Sequence, residues 1–213
     1  MKCDRKMLRL YAVTDRAWTA HKSLLAQVED ALRGGASCIQ LREKDLPDDA
    51  FLDEARKMKA LCHRYKVPFI INDNVDVAIR CQADGIHVGQ QDMQATDVRA
   101  RIGADMLLGV SVQTVAQAVL AQNNGADYLG VGAMFPTPTK QDADAVSREE
   151  LIQICKAVHI PVVAIGGISR ENLLSLAGTG IEGVALVSAI FACEDIETAC
   201  QELKVLSEEM VRR

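Results

Sequence analysis

The sequence is poor in aromatic residues and contains no long apolar run, and both absences restrict what it can be. Aromatic residues occupy 4% of the 213 positions although 49% are hydrophobic, so aliphatic side chains must fill a large core. No apolar run approaches the roughly 18 residues of a membrane span. The polar segment Met1–Lys6 is not followed by the apolar stretch and cleavage site of a signal peptide. We therefore expect a protein that does not enter a membrane.

Paired cysteines and an excess of positive charge are also missing. The net charge is -5, from 24 basic and 29 acidic residues, which argues against a partner that is a nucleic acid or a membrane surface. Seven cysteines are present, but none form a Cys-x-x-Cys pair. We predict a reduced, cytoplasmic protein without a zinc site or disulfides. The sequence does not fix the oligomeric state and leaves a homo-oligomer open.

A unit of apolar run, polar loop and amphipathic stretch recurs eight times along the chain. Most runs are continuous rather than alternating, as in parallel strands buried on both faces. The runs are Leu8–Val13, Ser37–Leu41, Pro68–Ile71, Gly85–Val88, Met106–Val110, Tyr128–Val131, Val162–Ile165 and Gly183–Val187. Eight such units with right-handed crossovers close into a (β/α)8 TIM barrel. We predict one domain over residues 1–213 with a core at about 8–193, and a doubly wound open sheet is the alternative.

Long polar side chains stand at the end of the second strand. Because strand side chains alternate, Gln40, Arg42 and Lys44 extend away from the side taken by Ile39 and Leu41. Two cations and an amide donor at one place suit a polyanion such as pyrophosphate. A solvated strand end would explain this motif alone, but other strands also end in polar residues: Asp15, Asn72, Asp92, Ser111 and Ser188. Barrel enzymes place their chemistry at these carboxyl ends.

Asp73 and Asp92 follow neighbouring strands and form the predicted acidic pair. Two carboxylates at neighbouring strand ends suit a hard divalent cation, and Mg2+ usually takes one or two carboxylates together with water and substrate phosphate oxygens. The alternative is that each Asp caps the helix that follows it. That alternative is stronger for Asp73, because the helical segment Val75–Ile79 comes directly after it.

A second anion site is predicted after the seventh and eighth strands. Gly166-Gly167 directly follows the strand Val162–Ile165, and Ser188 follows the eighth strand. Barrels of this kind bind phosphate monoesters with these two loops, using exposed backbone N–H groups. Glycine allows a ligand to approach the backbone closely.

The polar loop from Ala133 to about Ser147 is long enough to form a functional lid, although an ordinary surface loop is the alternative. It offers the hydroxyls of Thr137 and Thr139 and the charge of Lys140. One anion site with a metal suits a pyrophosphate leaving group, and the other suits the phosphate of an acceptor. Two such sites in one barrel indicate a transferase.

Seven motifs, in order between Leu10 and Ile190, resemble those of the thiamine-phosphate synthase family. They are Gln-Leu-Arg-Glu-Lys (40–44), Asn-Asp-Asn-Val-Asp-Val-Ala (72–78), Gly-Ile-His-Val-Gly-Gln-Gln-Asp (85–92), Gly-Val-Ser (109–111), Pro-Thr-Pro-Thr-Lys (136–140), Ala-Ile-Gly-Gly-Ile (164–168) and Val-Ser-Ala-Ile (187–190). The resemblance implies that 4-amino-2-methyl-5-(diphosphooxymethyl)pyrimidine is joined to a thiazole phosphate with Mg2+, which gives thiamine phosphate and pyrophosphate.

The resemblance also implies roles for individual residues. The residues implied to hold the pyrimidine pyrophosphate are Gln40, Arg42, Lys44, Asn72, Ser111 and Lys140, and catalysis would fall to Arg42, Lys44, Ser111 and Lys140. The implied Mg2+ ligands are Asp73 and Asp92. The implied thiazole phosphate site is Thr137, Thr139, Gly167, Val187 and Ser188.

Three other functions remain open from the sequence. A thiazole tautomerase of the same fold would not need a pyrophosphate-binding set, and a non-catalytic sensor of thiamine intermediates could lose the metal carboxylates. A generic phosphosugar-binding barrel would explain Gly166-Gly167 but not the cations beside paired carboxylates. His87 lies between Ile86 and Val88 in the fourth strand, and its position favours a hydrogen-bonded core histidine over a catalytic one.

Overall fold

Eight parallel strands form a closed barrel in the part of the chain that the structure, a computed structural model, describes, which is residues 3–136 and 145–213. Each strand pairs with the next one, and β1 pairs with β8. The strands are β1 Leu10–Val13, β2 Cys38–Leu41, β3 Phe69–Asn72, β4 Gly85–Val88, β5 Leu107–Val112, β6 Tyr128–Val131, β7 Val162–Ile165 and β8 Gly183–Leu186. The predicted barrel is therefore confirmed, and the open sheet is wrong.

Helices surround the barrel and connect its strands. They are α1 Leu24–Arg33, α2 Asp48–Arg64, α3 Val75–Arg80, α4 Ala95–Ile102, α5 Val115–Asn123, α6 Arg148–Ala157, α7 Ser188–Phe191 and α8 Ile196–Arg212. The connection from β7 to β8, all of it within the described residues, contains the 3-10 helix Leu173–Leu176 in place of an α-helix. Helix α8 packs against α1 and this 3-10 helix, with Cys200 and Leu203 buried.

Local signals explain where these helices begin and end. The Ser23 hydroxyl accepts a hydrogen bond from the backbone N–H of Ala26 at the start of α1. The chain leaves the same helix through Gly35, whose φ of 95° lies in the left-handed region that favours glycine. Hydroxyls of Thr114 and Ser147 cap α5 and α6 in the same manner as Ser23. These caps fix the ends of the loops that lead from strand to helix.

The core has an outer layer between strands and helices and an inner layer inside the barrel. The inner apolar layer includes Tyr11, Cys38, Ile70, Leu107, Tyr128, Val163 and Ala185. Polar side chains join this layer toward the carboxyl ends of the strands, since Gln40 pairs with Ile70 and Asn72 pairs with His87. The inside of the barrel near the rim is therefore a mixture of polar and apolar side chains.

All seven cysteines lie in the described part of the chain, and each is a free thiol. Burial raises the pKa of Cys62 and Cys200 to about 12, so both remain protonated at neutral pH. Among residues 3–136 and 145–213, no helix combines the length and the apolar character that a bilayer crossing requires.

Candidate active site

The polar residues predicted from the sequence lie along one rim of the barrel, as far as the structure describes them. Gln40 lies in β2, Asn72 ends β3 and Ser111 lies in β5. Val187 and Ser188 follow β8 directly. Because all eight strands run in the same direction, their carboxyl ends meet at this rim.

Asp73 and Asp92 lie in contact at the rim. The pKa of the Asp73 carboxyl rises from 3.8 to about 7, first because neighbouring atoms shield it from water. A hydrogen bond with Asp92 and the negative charge of Asp92 raise it further, whereas the charge of Arg42 and a hydrogen bond with Asn72 lower it. The two carboxylates are therefore close enough to share a proton, and the Arg42 guanidinium is close enough to act on Asp73.

Neither aspartate caps the helix that follows it, so the alternative interpretation of this pair is wrong. Asn74 caps α3 with its side chain, and Asp73 precedes it at a φ of 62°. Asp92 instead accepts a hydrogen bond of 2.7 Å from the backbone N–H of Gly89 within its own loop. Helix α4 begins after Gln94 without a side-chain cap. Both carboxylates thus keep oxygens that no helix N-terminus uses.

The donor set fits magnesium better than zinc. Within the described residues, no group of three or more His, Cys, Asp or Glu side chains could hold a metal ion. Zinc sites normally draw three or four ligands from the protein. Magnesium instead takes one or two carboxylates and completes its shell with water and phosphate oxygens. Asp73 and Asp92 provide such a pair, and a cation bound to both would relieve their mutual repulsion.

Arg42 follows β2 and is held at the rim through both its backbone and its side chain. Its backbone N–H donates a hydrogen bond of 3.0 Å to the Thr14 hydroxyl, and its guanidinium lies 3.6 Å from the Asp15 carboxylate. The Arg42 side chain is 21% exposed, so the ion pair with Asp15 is partly shielded from water. Lys44, two residues further on, is exposed. A polyanion at the rim would compete with Asp15 for the Arg42 guanidinium.

A second ion-pair cluster supports the loop between β2 and α2. Arg16 donates a hydrogen bond of 2.8 Å to Glu43 and another to Glu54 on α2. The Glu43 side chain is only 3% exposed, so this bond anchors a residue that stands between Arg42 and Lys44. Sequence reasoning did not identify this cluster, because Arg16, Glu43 and Glu54 lie on three separate segments.

A chain of hydrogen bonds crosses the inside of the barrel and ends at two of the predicted site residues. The Gln40 side-chain amide donates a bond of 2.8 Å to the Tyr11 hydroxyl, which lies 2.8 Å from the Tyr128 hydroxyl. His87 Nδ1 lies 3.1 Å from the Tyr128 hydroxyl, and its Nε2 lies 2.9 Å from the Ser111 hydroxyl. Sequence reasoning missed both tyrosines, although each occupies an inward position of its strand.

The loop after β7 approaches the segment after β6 closely. Gly166 and Gly167 have φ angles of 95° and 63°, which favour glycine. A Cβ atom on Gly167 would lie 2.5 Å from the carbonyl oxygen of Phe135 and 2.6 Å from that of Pro136. Glycine is therefore required here by backbone packing, whether or not a phosphate binds. The Asn172 side chain donates a hydrogen bond of 2.9 Å to the Gly167 carbonyl and holds this loop.

Three of the predicted site residues, Thr137, Thr139 and Lys140, lie outside the described residues. Their assignment depends on the sequence motif alone. On the described side of the gap, the backbone N–H groups of Met134 and Phe135 donate bonds of 3.0 Å to Ile165 and Gly166. The segment therefore leaves the barrel from beside the β7 loop.

Comparisons with known proteins agree with one another. A family model described as thiamine monophosphate synthase matches residues 10–190. The thiamine-phosphate synthase of Clostridium tetani is 47% identical over 194 residues, which cover 91% of this chain and 93% of the relative. That of Clostridium beijerinckii is 49% identical over 195 residues, which cover 92% of this chain and 93% of the relative.

A solved structure is similar over nearly the same length. The thiamine phosphate pyrophosphorylase from Pyrococcus furiosus has a TM-score of 0.90 and 37% sequence identity to this chain. The match covers 97% of this chain and 98% of that protein. The likeness therefore extends over nearly the whole chain.

Proposed function

The chain belongs to the thiamine monophosphate synthase family and is a transferase that forms thiamine phosphate, and from this premise we propose how its barrel rim does so. The substrates are 4-amino-2-methyl-5-(diphosphooxymethyl)pyrimidine and 4-methyl-5-(2-phosphooxyethyl)thiazole, or the carboxylate of the latter. The products are thiamine phosphate and pyrophosphate. The observation that supports the proposal most strongly is the contact between the Asp73 and Asp92 carboxylates near the Arg42 guanidinium.

Mg2+ is the cofactor of this proposal, and Asp73 and Asp92 would hold it. Two carboxylates leave the remaining positions of the ion for water and for diphosphate oxygens. When bound there, Mg2+ supplies positive charge that stabilises the departing pyrophosphate. The raised pKa of Asp73 supports this assignment, because shielding from water is its largest cause and the adjacent Asp92 carboxylate raises it further, so a bound cation would stabilise the charged form.

Arg42, Lys44 and Lys140 neutralise the leaving pyrophosphate in the proposed mechanism. The planar guanidinium of Arg42 can hold two phosphate oxygens at once, whereas each lysine acts as a point charge. Arg42 exchanges its contact with Asp15 for the stronger contact with the diphosphate. The loop anchored by Glu43 carries Arg42 and Lys44 and fixes the direction from which these two charges approach.

Gln40, Asn72 and Ser111 complete the pyrimidine pyrophosphate site. Gln40 is buried and has a second amide proton and a carbonyl oxygen in addition to its bond to Tyr11. Asn72 ends β3 beside the carboxylate pair, and Ser111 is partly exposed in β5. Together they offer neutral polar groups next to the charged ones, which suits an aminopyrimidine joined to a diphosphate.

The thiazole phosphate occupies the other side of the rim. Backbone N–H groups after β7 and β8 and the start of the short helix α7 face a monophosphate in barrels of this kind. The residues assigned to this site are Thr137, Thr139, Gly167, Val187 and Ser188. Binding the phosphate tail at a fixed place holds the thiazole ring near the pyrimidine methylene carbon.

The reaction requires no nucleophile from the protein. The C–O bond between the methylene carbon and pyrophosphate breaks, and both electrons leave with pyrophosphate. The electron-rich aminopyrimidine stabilises the resulting carbocation. The lone pair of the thiazole nitrogen then forms the C–N bond. The protein contributes by neutralising the leaving anion and by holding the two rings together.

A location in the reducing environment of the cytoplasm belongs to the same proposal, and the seven free thiols support it. Whether the chain forms a homo-oligomer stays a prediction, and so do the limits of the core at about 8–193. The tautomerase alternative predicts a different product and the sensor alternative predicts no product, so one assay separates them.

The test incubates the purified protein with both substrates, with Mg2+ or with a chelator, and measures pyrophosphate and thiamine phosphate. We expect equal amounts of both products, formed only when Mg2+ is present. A thiazole tautomerase would convert the thiazole without releasing pyrophosphate, and a sensor would bind the substrates without turnover.

A further inference from the structure

The hydrogen-bond chain inside the barrel begins with a group that can only be a donor. The Gln40 side-chain nitrogen can only donate, so the Tyr11 hydroxyl accepts its proton. Burial raises the pKa of Tyr11 and of Tyr128 well above its ordinary value, so each keeps one proton to pass on. In the arrangement that continues from the Gln40 donor, Tyr11 donates to Tyr128, and Tyr128 donates to His87 Nδ1. The other imidazole nitrogen, Nε2, then carries the proton and donates to the Ser111 hydroxyl.

The neighbouring strands leave space for this arrangement. A Cβ atom on Gly109 would lie 2.2 Å from Tyr128 Cζ and 2.4 Å from His87 Nδ1. A Cβ atom on Gly130 would lie 3.1 Å from His87 Cε1. Glycine inside a strand marks a close approach of another group, and here both glycines border the same imidazole. Gly109 in β5 and Gly130 in β6 therefore leave the room that the contact between His87 and Tyr128 requires.

The hydrogen-bond chain ends at Ser111, where the substrate is proposed to bind. His87 is 8% exposed, whereas Ser111 is partly exposed at the rim. The Gln90 side chain also donates a hydrogen bond of 2.7 Å to the Ser111 backbone carbonyl, which holds the residue from a second side. If His87 donates to the Ser111 oxygen, the hydroxyl proton of Ser111 is directed away from the imidazole and toward a ligand.

We infer that His87 is a positioning residue: Tyr11 and Tyr128 hold it as the Nε2–H tautomer, and it fixes the Ser111 hydroxyl as a hydrogen-bond donor to the bound pyrimidine pyrophosphate. The inference rests on the proposed function for the identity of that ligand. The tautomer itself depends only on the protein. In the reverse arrangement the proton would be on Nδ1, and the Ser111 hydroxyl would donate its hydrogen bond to Nε2 of the imidazole instead of to a ligand.

Two substitutions at His87 separate these roles. In His87→Gln the side-chain amide reaches the place of Nε2 and can still donate to Ser111. In His87→Asn the shorter amide reaches only the place of Nδ1, so the bond to Ser111 is lost. We expect His87→Asn to lower kcat about tenfold, the effect of one lost hydrogen bond of about 1.4 kcal/mol, with an unchanged KM for the thiazole phosphate. We expect His87→Gln to retain kcat within about threefold.

Matched variants control this comparison. His159 is exposed near the amino end of β7, at the opposite end of the barrel, and His159→Gln and His159→Asn should both leave kcat unchanged. In a Ser111→Ala background, His87→Asn should have almost no further effect on kcat, because its partner is already missing. Equal losses in His87→Gln and His87→Asn, or full additivity with Ser111→Ala, would overturn the positioning role.

Nitrogen-15 NMR of histidine-labelled wild-type protein tests the tautomer without any substrate. We expect the His87 signals to show a protonated Nε2 and an unprotonated Nδ1, with His87→Gln used to assign them among the four histidines. Tyr128→Phe should mix the two tautomers, because it removes the proton given to Nδ1. A proton on Nδ1, or on both nitrogens, would overturn the inference. The predicted tautomer in a protein that forms no thiamine phosphate would instead overturn the proposed function.

Discussion

Replacing Asp92 with Asn should stabilise the metal-free protein at pH 8. Asp92 and Asp73 are in contact, and the charge of Asp92 helps to raise the pKa of Asp73 to about 7. A group whose pKa is raised in the folded state holds a proton there that the unfolded chain releases. The free energy of unfolding therefore falls as pH rises from about 4 to about 7. At pH 8 Asp73 is charged in the folded state, and the full destabilisation by that charge is present. Removing the neighbouring charge reduces that cost.

The expected size of the effect follows from the exposure of the pair. Asp73 is exposed on the rim as a whole residue, although neighbouring atoms shield its carboxyl in part, so water still screens much of its interaction with Asp92, and such pairs are worth at most about 1 kcal/mol. For a chain of 213 residues, about 1 kcal/mol shifts the melting temperature by roughly 2–4 °C. Asn also keeps an oxygen that can accept the Gly89 N–H, so the loop after β4 does not lose its own hydrogen bond.

Thermal unfolding of the metal-free protein at pH 8 and pH 5 measures this difference. At pH 8 Asp92→Asn should melt above the wild type, and at pH 5, where Asp73 is already protonated, the two should melt together. Adding Mg2+ at pH 8 should reverse the order, because only the wild type keeps both ligands. Asp105→Asn makes the same change in net charge away from the rim. A lower melting temperature for Asp92→Asn at pH 8 without metal would refute repulsion between the carboxylates.

Three further predictions concern the same rim. The Mg2+ concentration needed for half-maximal activity should rise as pH falls below about 7, because protons then compete for Asp73; a flat Mg2+ titration from pH 8 to 6 would contradict this. Asp15→Asn, measured by pyrophosphate titration calorimetry, should tighten binding a few-fold, since Arg42 loses the carboxylate 3.6 Å away. Weaker binding would show that Asp15 instead orients the guanidinium. Lys140→Ala should lower kcat more than it weakens thiazole phosphate binding, and an unchanged kcat would remove Lys140 from the leaving-group site.

Much of the barrel was predictable because its strands are short apolar runs with clear ends. Gly85–Val88, Tyr128–Val131 and Val162–Ile165 have the predicted bounds. The first strand begins later than predicted, at Leu10, because Arg5–Leu8 forms a 3-10 turn. Helical spacing could not show that the β7–β8 connection would take only the 3-10 helix Leu173–Leu176. The family, predicted from seven motifs, is confirmed by the match over residues 10–190.

The polar residues at the strand ends could be predicted from the sequence, whereas the polar contacts inside the barrel could not. Parallel strands bring their carboxyl ends together whatever the exact curvature of the sheet, so Asp73 and Asp92 could be paired from the sequence. Tyr11 and Tyr128 lie 117 positions apart on β1 and β6, which are not neighbours in the sheet. Their contact depends on the width of the closed barrel and on which side of each strand faces inward. Neither is encoded in a local pattern.

The apolar core of the barrel also explains how the fold tolerates two carboxylates that repel each other at the rim. Below the rim, apolar side chains such as Ile70, Leu107 and Val163 are almost fully buried, and each contributes about 1.5–3 kcal/mol of burial. The cost of one exposed carboxylate pair is smaller than the contribution of a single such residue. The core can therefore hold Asp73 and Asp92 together although the charge of Arg42 offsets their repulsion only in part, which leaves negative charge available to a bound cation. The carboxylate pair must then lower the stability of the protein when no cation is bound, and the melting temperature of Asp92→Asn measures that loss.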